Sequence, residues 1–265
     1  MQRATAFAAS EPYERFMGRW SRRLAPRFIS FASVSDGDVV LDVGSGTGSL
    51  ALAIAEAFPT ARVTGIDPSS AYVGAAKERA PDARVRFAVG NAQALELPSE
   101  RFDTALSMLV MNFIPDPGAA LREMIRVVRP EGTVGAAVWD YGDGMEMLRV
   151  FWDEAVALDP SIDARDERHM PLCRRGELAL LWSADGLDRV EEQEIVIELP
   201  FASFDDYWNP FLGGQGPAGV YVASLSEATR AALAARLRDR LIGARPDGPF
   251  TLHARAWAVK GIVPA

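Results

Sequence analysis

VLDVGSGTGSL, residues 40–50, joins an apolar strand, a glycine-rich turn and the start of a helix in one short segment, and this junction decides the fold. Val39, Val40, Leu41 and Val43 form an apolar run of strand length, while Leu50, Ile54 and Phe58 recur at four-residue spacing on one face of a following helix. Gly44, Gly46 and Gly48 lie between them. Glycine lets the main chain turn tightly and approach a ligand closely, and the helix beyond presents unpaired N–H groups to it. The spacing is G-x-G-x-G, with Ser49 where the dinucleotide fingerprint G-x-G-x-x-G has its third glycine. That disfavours NAD and FAD. Asp42, at the end of the strand, either orients the loop or meets the ammonium group of an amino-acid-like ligand.

Further strands follow in a regular rhythm. ARVTGIDPSS, residues 61–70, holds a second strand ending in Asp67. An acid at that strand tip is placed to accept both hydroxyls of a ribose, although Asp67, Ser69 and Ser70 also read as capping residues for the helix that follows. VRFAVGNAQALELP, residues 85–98, supplies a third strand. FDTALSMLVMNFIPDP, residues 102–117, supplies a fourth, after which Asp116 and Pro117 read as the N-cap and first residue of a helix with Leu121, Met124, Ile125 and Val128 facing inward. RPEG, residues 129–132, is expected to close that helix before a fifth strand, TVGAAVW. Strands alternating with helices imply right-handed crossovers and a parallel sheet covered on both faces. In such a sheet ligands bind at the carboxyl ends of the strands, where Gly44, Asp67, Asn91 and Ser107 all fall.

With Asp42, Gly44, Ser45, Gly46 and Gly48, the loop resembles motif I of the class I S-adenosylmethionine-dependent methyltransferases. YERFMGRWS (13–21), MNFIPDP (111–117), DYWNPFLGGQGP (206–217) and ARAWAVKG (254–261) are similar to a group of small bacterial methyltransferases related in outline to the ubiquinone and menaquinone methylases. The resemblance implies an α/β fold: a Rossmann-like, seven-stranded, mostly parallel sheet with helices on both faces and the last strand antiparallel, to which this chain is expected to add a helical cap insertion. It implies S-adenosylmethionine as cofactor and S-adenosylhomocysteine as product, with the glycine loop beneath the methionine part and Asp67 and Pro68 at the ribose. Asn91, Ala92 and Gln93 are then expected at the adenine edge, Asn91 standing where relatives often carry aspartate, and Ser107 completes the cofactor set. In such proteins a leading helix, here residues 11–31, often lies across the cofactor, so that Tyr13 and Arg19 reach its carboxylate; the alternative is a helix that only covers the sheet.

The whole chain, 1–265, is expected to form a single methyltransferase domain. RVEEQEIVIELPF (189–201) and GPFTLHARAWAVKGIV (248–263) read as strands six and seven, and residues 200–247 between them form a cap or lid with a helix from about Leu225 to Leu241. Tyr207, Trp208, Phe211 and Tyr221 are candidate walls of a substrate pocket, since aromatic faces suit an apolar acceptor and a sulfonium charge. Packing of the insertion is the alternative for each. Gly213, Gly214 and Gly216 permit a hinge. Asn112, just after strand four, is the first candidate for orienting the acceptor, and His169 is a candidate general base. His253, in the last strand, reads as structural.

Composition narrows the class. The chain has 265 residues, 49% of them hydrophobic, and a formal net charge of −8, which would repel nucleic-acid phosphate unless the positive charges clustered. Nothing after strand four reads as the Pro-Pro-aromatic signature of base-methylating enzymes. The only cysteine, Cys173, excludes an internal disulfide framework and a cysteine-rich zinc site, and no metal is expected. No run reaches the length of a membrane span and MQRATAFAAS lacks the regions of a secretory signal. A cytoplasmic enzyme methylating a small molecule by in-line displacement is expected, without nucleic-acid partner or membrane insertion. Two other classes share these features: a non-catalytic S-adenosylmethionine-binding module, and an NAD-dependent oxidoreductase in which Asp67 would hold the adenosine ribose.

Overall fold

The computed structural model describes residues 10–265. Its seven strands are β1 Val39–Val43, β2 Arg62–Asp67, β3 Val85–Val89, β4 Phe102–Met108, β5 Val128–Trp139, β6 Asp188–Phe201 and β7 Phe250–Ile262. They form one sheet in the order β3-β2-β1-β4-β5-β7-β6. β1 pairs in parallel with β2 and β4, β2 with β3, and β4 with β5. β7 lies between β5 and β6 and runs antiparallel to both, with Asp140 N donating to Arg255 O and Glu131 N to Val263 O. The reversal of strand order on either side of β1 and β4 opens a crevice at their carboxyl ends.

The helices are α1 Ser10–Tyr13, α2 Arg19–Ala32, α3 Ser49–Ala57, α4 Ser70–Arg79, α5 Pro117–Val127, α6 Glu146–Leu158, α7 Glu177–Ala184, α8 Phe204–Trp208, α9 Gly216–Ser224 and α10 Glu227–Leu241. A wide π-helical turn, Glu14–Gly18, separates α1 from α2, so the helix expected over 11–31 is interrupted. Phe16, Trp20 and Leu24 are nonetheless all buried, as their spacing implies. α5 starts as read, with Asp116 Oδ1 accepting from Ala119 N at 2.8 Å.

One boundary differs. RPEG is not a turn before β5 but part of it: β5 begins at Val128, opposite Phe102, and the register then shifts to Thr104 opposite Thr133. Glu131 takes a left-handed backbone (φ 63°) and a Cβ on Gly132 would lie 2.6 Å from Asp103 O. The turn-like residues therefore make a bulge, a feature that exists only once a partner strand is present.

Contacts group the chain into two compact units. One comprises Gly18–Val138, Pro171–Ile195 and Ala256–Ala265; the other comprises the described residues up to Met17, Trp139–Met170 and Val196–Arg255. β5, β6 and β7 contribute residues to both. The first has an aliphatic core of β1, β4 and β5 residues such as Leu41, Ala105 and Val134 with Leu121 and Met124 of α5 and Trp182 of α7; Trp182 Nε1 donates to Val134 O at 2.9 Å. The second is built on aromatic rings. Phe151 stacks on Phe211 at 4.6 Å, and Trp152, Tyr207 and Tyr221 pack around that pair. The described residues include no helix long and apolar enough to cross a membrane.

Candidate functional site

The candidate site lies in the Gly18–Val138 unit, at the carboxyl ends of β1, β2 and β4. Gly44, Gly46 and Gly48 have φ of 76°, 53° and 90°, a left-handed region that side chains disfavour. Two of the three are also sterically enclosed: a Cβ on Gly44 would lie 2.5 Å from Val110 Cγ1, and one on Gly48 2.9 Å from Phe87 Cζ. At Gly46 nothing lies within 4 Å, so there the requirement is conformational. The loop is tied to β2 by Gly44 N and Ser45 N, which donate to Ile66 O at 2.7 and 3.0 Å.

Two acids stand under this loop. Asp67 is 7% exposed; its Oδ2 accepts from Gly46 N at 2.9 Å and its Oδ1 from Ser69 N at 2.8 Å. It therefore braces the loop against the β2–α4 turn, while Ser69 caps α4 through Tyr72 N. Each carboxylate oxygen has two lone pairs, so these bonds leave accepting capacity for hydroxyls. Burial pushes the Asp67 carboxyl above the usual range. Asp42 is buried more deeply, and its Oδ2 accepts a 3.2 Å bond from Ala51 N in the first turn of α3. Desolvation, with the nearby Asp67 charge adding to it, raises its pKa to about 7. Among the described residues no Lys or Arg is paired with either acid, so the pair is electrostatically poised for a positive ligand group.

Around the acids, the hydroxyls of Ser45, Ser49 and Ser107 are buried without hydrogen-bond partners among the described residues. Orphaned hydroxyls carry a desolvation cost that a bound ligand can relieve. After β3, Asn91 Oδ1 accepts from Gln93 N at 3.0 Å, and Gln93 Oε1 from Asp116 N at 3.4 Å. This turn is exposed at Asn91 and half-buried at Ala92 and Gln93, and Pro68 is exposed. Asn112, in the short turn Met111–Phe113 after β4, is 1% exposed. Arg19 stands at the start of α2 with its guanidinium over the Trp20 ring at 4.1 Å.

The remaining candidates belong to the other unit. Tyr13 is half-buried in α1. Tyr207 and Phe211 have no exposed surface; the Tyr207 hydroxyl donates to Met147 O at 2.9 Å. Trp208 and Tyr221 are nearly as buried in the same aromatic cluster, so packing accounts for the placement of all four. His169 is exposed, with Nε2 3.3 Å from Asp163 Oδ2. His253 is exposed beside Glu146. Sequence reading overlooked Glu167, two residues before His169: its carboxyl is buried, takes the Trp152 Nε1 proton in a hydrogen bond, and is pushed up to about 8 by desolvation. Beside it Asp166 binds both Arg149 and Arg168. Val110, seated on Gly44, was equally unforeseen. No cluster of three or more potential metal ligands occurs among the described residues.

Residues 40–132 match the family model described as a methyltransferase domain. A protein of Mycobacterium tuberculosis without an assigned function is 34% identical over 116 residues, 44% of this chain and 42% of its own length. The 2-methyl-6-phytyl-1,4-hydroquinone methyltransferase of Synechocystis is 36% identical over 121 residues, 45% of this chain and 38% of that enzyme. The chain thus spans about two-fifths of the length of these relatives. Among solved structures, phosphoethanolamine N-methyltransferase 2 of Haemonchus contortus, in complex with phosphomonomethylethanolamine and S-adenosylhomocysteine, superposes with a TM-score of 0.59 at 21% identity, over 100% of this chain and 58% of that one. The fold is that of the Rossmann-like methyltransferases.

Proposed function

We propose that this chain, which carries a methyltransferase domain over residues 40–132, transfers a methyl group from S-adenosylmethionine to a small-molecule acceptor. The observation that carries the reading is the convergence at the ends of β1, β2 and β4: a left-handed glycine loop, two buried acids and three buried hydroxyls, the acids without a cationic partner and the hydroxyls without a hydrogen-bond partner among the described residues. These suit a ligand that carries a cationic amino-acid part and a ribose. S-adenosylmethionine, when bound, supplies a methyl group on a sulfonium centre.

On this reading the backbone of Gly44, Ser45, Gly46 and Gly48 forms the floor under the methionine part, and Asp42 takes the ammonium group. Asp67, next to Pro68, accepts the ribose hydroxyls with the capacity its two backbone bonds leave. Asn91, Ala92 and Gln93 hold the adenine edge and Ser107 donates from β4. Tyr13 and Arg19 are assigned to the cofactor's carboxylate. Asn112 orients the acceptor, and His169 remains the candidate base for an acceptor that must lose a proton. The insertion over 200–247, with Tyr207, Trp208, Phe211 and Tyr221, is assigned to acceptor selection. Positioning supplies much of the acceleration in such a displacement, on the order of 7–11 kcal/mol for well-oriented groups. Hence no strong base is required of the chain. The hydroquinone named for the Synechocystis relative puts quinols and phenols first among acceptors to screen.

Calorimetry of the purified protein with S-adenosylmethionine, S-adenosylhomocysteine and NAD tests the reading. Binding of S-adenosylhomocysteine without NAD is expected. NAD bound in preference would transfer the chain to the oxidoreductases, and S-adenosylmethionine bound with no methyl released to any acceptor would favour a binding module.

A further inference from the structure

The exit of β4 holds a strained residue whose neighbours bear directly on the glycine loop. Leu109 has φ 67°, a conformation that a bulky side chain keeps only where its surroundings impose it. Its N–H donates to Ala137 O of β5 at 2.7 Å, which anchors the turn to the sheet. The next residue, half-buried Val110, is thereby laid on Gly44: both its methyl carbons and its Cβ come within 2.8 Å of where a Gly44 Cβ would stand. Val110 O then accepts from Phe113 N at 2.8 Å, closing the turn in which Asn112 is buried. One left-handed leucine thus sets both the cover of the glycine loop and the placement of the residue assigned to the acceptor. Strain of this kind clusters where geometry is functional, because relaxed packing alone would not preserve it.

Resting on the reading above, we propose that Leu109 and Val110 are positioning residues: a clamp that presses the glycine loop into its cofactor-binding shape and couples it to the β4 exit. The fold does not require the clamp, since β4 is already paired on both sides before Leu109 is reached.

The test separates affinity from stability. Leu109→Gly removes the strain and frees the turn, whereas Leu109→Asn keeps a residue that tolerates the left-handed region. Val110→Ala strips the methyls from Gly44, and Val110→Ile keeps them. S-adenosylhomocysteine affinity is measured by calorimetry and stability by thermal unfolding, in all four variants and the parent protein. Leu109→Gly is expected to hold or raise Tm while weakening the ligand about fivefold or more, and Val110→Ala to weaken it similarly. Leu109→Asn and Val110→Ile should stay within about twofold of the parent. Parental affinity in both Leu109→Gly and Val110→Ala overturns the clamp, as does an affinity loss in Leu109→Gly that comes with a matching fall in Tm, the mark of a merely structural role. A parent protein that takes up no S-adenosylhomocysteine refutes the functional reading itself, and the clamp with it.

Discussion

Replacing Asp42 by Asn should make the ligand-free protein more stable at alkaline pH while weakening its hold on the cofactor. Asp42 is 1% exposed, accepts one long bond from Ala51 N, and has its pKa raised from 3.8 to about 7 by burial and by Asp67. In the unfolded chain it is ionised above about pH 4; in the folded protein it keeps its proton up to about pH 7. The folded state therefore binds more protons across that window, and its stability falls as pH rises from about 4 to about 7, then levels off. The rise from 3.8 to about 7 corresponds to ~4 kcal/mol over the window, an upper value because the site relaxes around the charge. Asn is the neutral isostere and its carbonyl oxygen can accept the Ala51 bond, so Asp42→Asn should remove this slope: near parity only below about pH 4, a gain of roughly 1–2 kcal/mol at pH 5, and roughly 2–4 kcal/mol at pH 8. Urea unfolding of the two proteins at pH 5, 6, 7 and 8 measures the difference. Taking the difference also cancels Glu167, whose raised pKa acts in the same direction. A pH-independent stability difference would refute the view that Asp42 is held as a strained buried acid. The gain in stability should be accompanied by a loss of S-adenosylhomocysteine affinity of about 1.5–3 kcal/mol, the range for hydrogen bonds to charged groups, and this opposition is expected where a site is electrostatically poised for its ligand.

Asp67→Ala should lose about 1.5–3 kcal/mol of S-adenosylhomocysteine affinity and also lower Tm, because Gly46 N and Ser69 N both lose their acceptor; an unchanged dissociation constant with a lowered Tm would reduce Asp67 to a brace. Trp208→Ala, monitored for folding by circular dichroism, should reduce turnover with an acceptor found by screening much more than it reduces S-adenosylhomocysteine affinity. Equal losses would leave Trp208 with its packing role in the aromatic cluster alone.

Much of the fold was legible in residues 39–139 because the signals there are local. β1 and α3 follow from apolar periodicity on either side of three glycines, β2 ends at Asp67 where the pattern stops, and Asp116 and Pro117 start α5 as a cap and first-turn residue do in an isolated segment. The glycine loop was legible for the same reason: its spacing is a property of consecutive residues. Where the outcome depended on a partner, local reading fell short. RPEG carries turn chemistry, yet Phe102 and Thr104 of β4 draw it into β5 as a bulge, because sheet hydrogen bonds override a weak turn preference once a neighbouring strand is present.

The site shows the same division. The sequence by itself determined which residues stand at the strand ends: Asp42, the three glycines, Asp67 and Ser107. Only the tertiary structure decided what state they are in. That Asp67 spends a lone pair on Gly46, that Asp42 keeps its proton to about pH 7, that Glu167 is buried while His169 is exposed, and that Val110 fills the space over Gly44 are consequences of desolvation and contact between segments far apart in the chain. Residue type and spacing set backbone preference and chemical capacity; burial and neighbours, which set pKa and strain, exist only when the chain is packed.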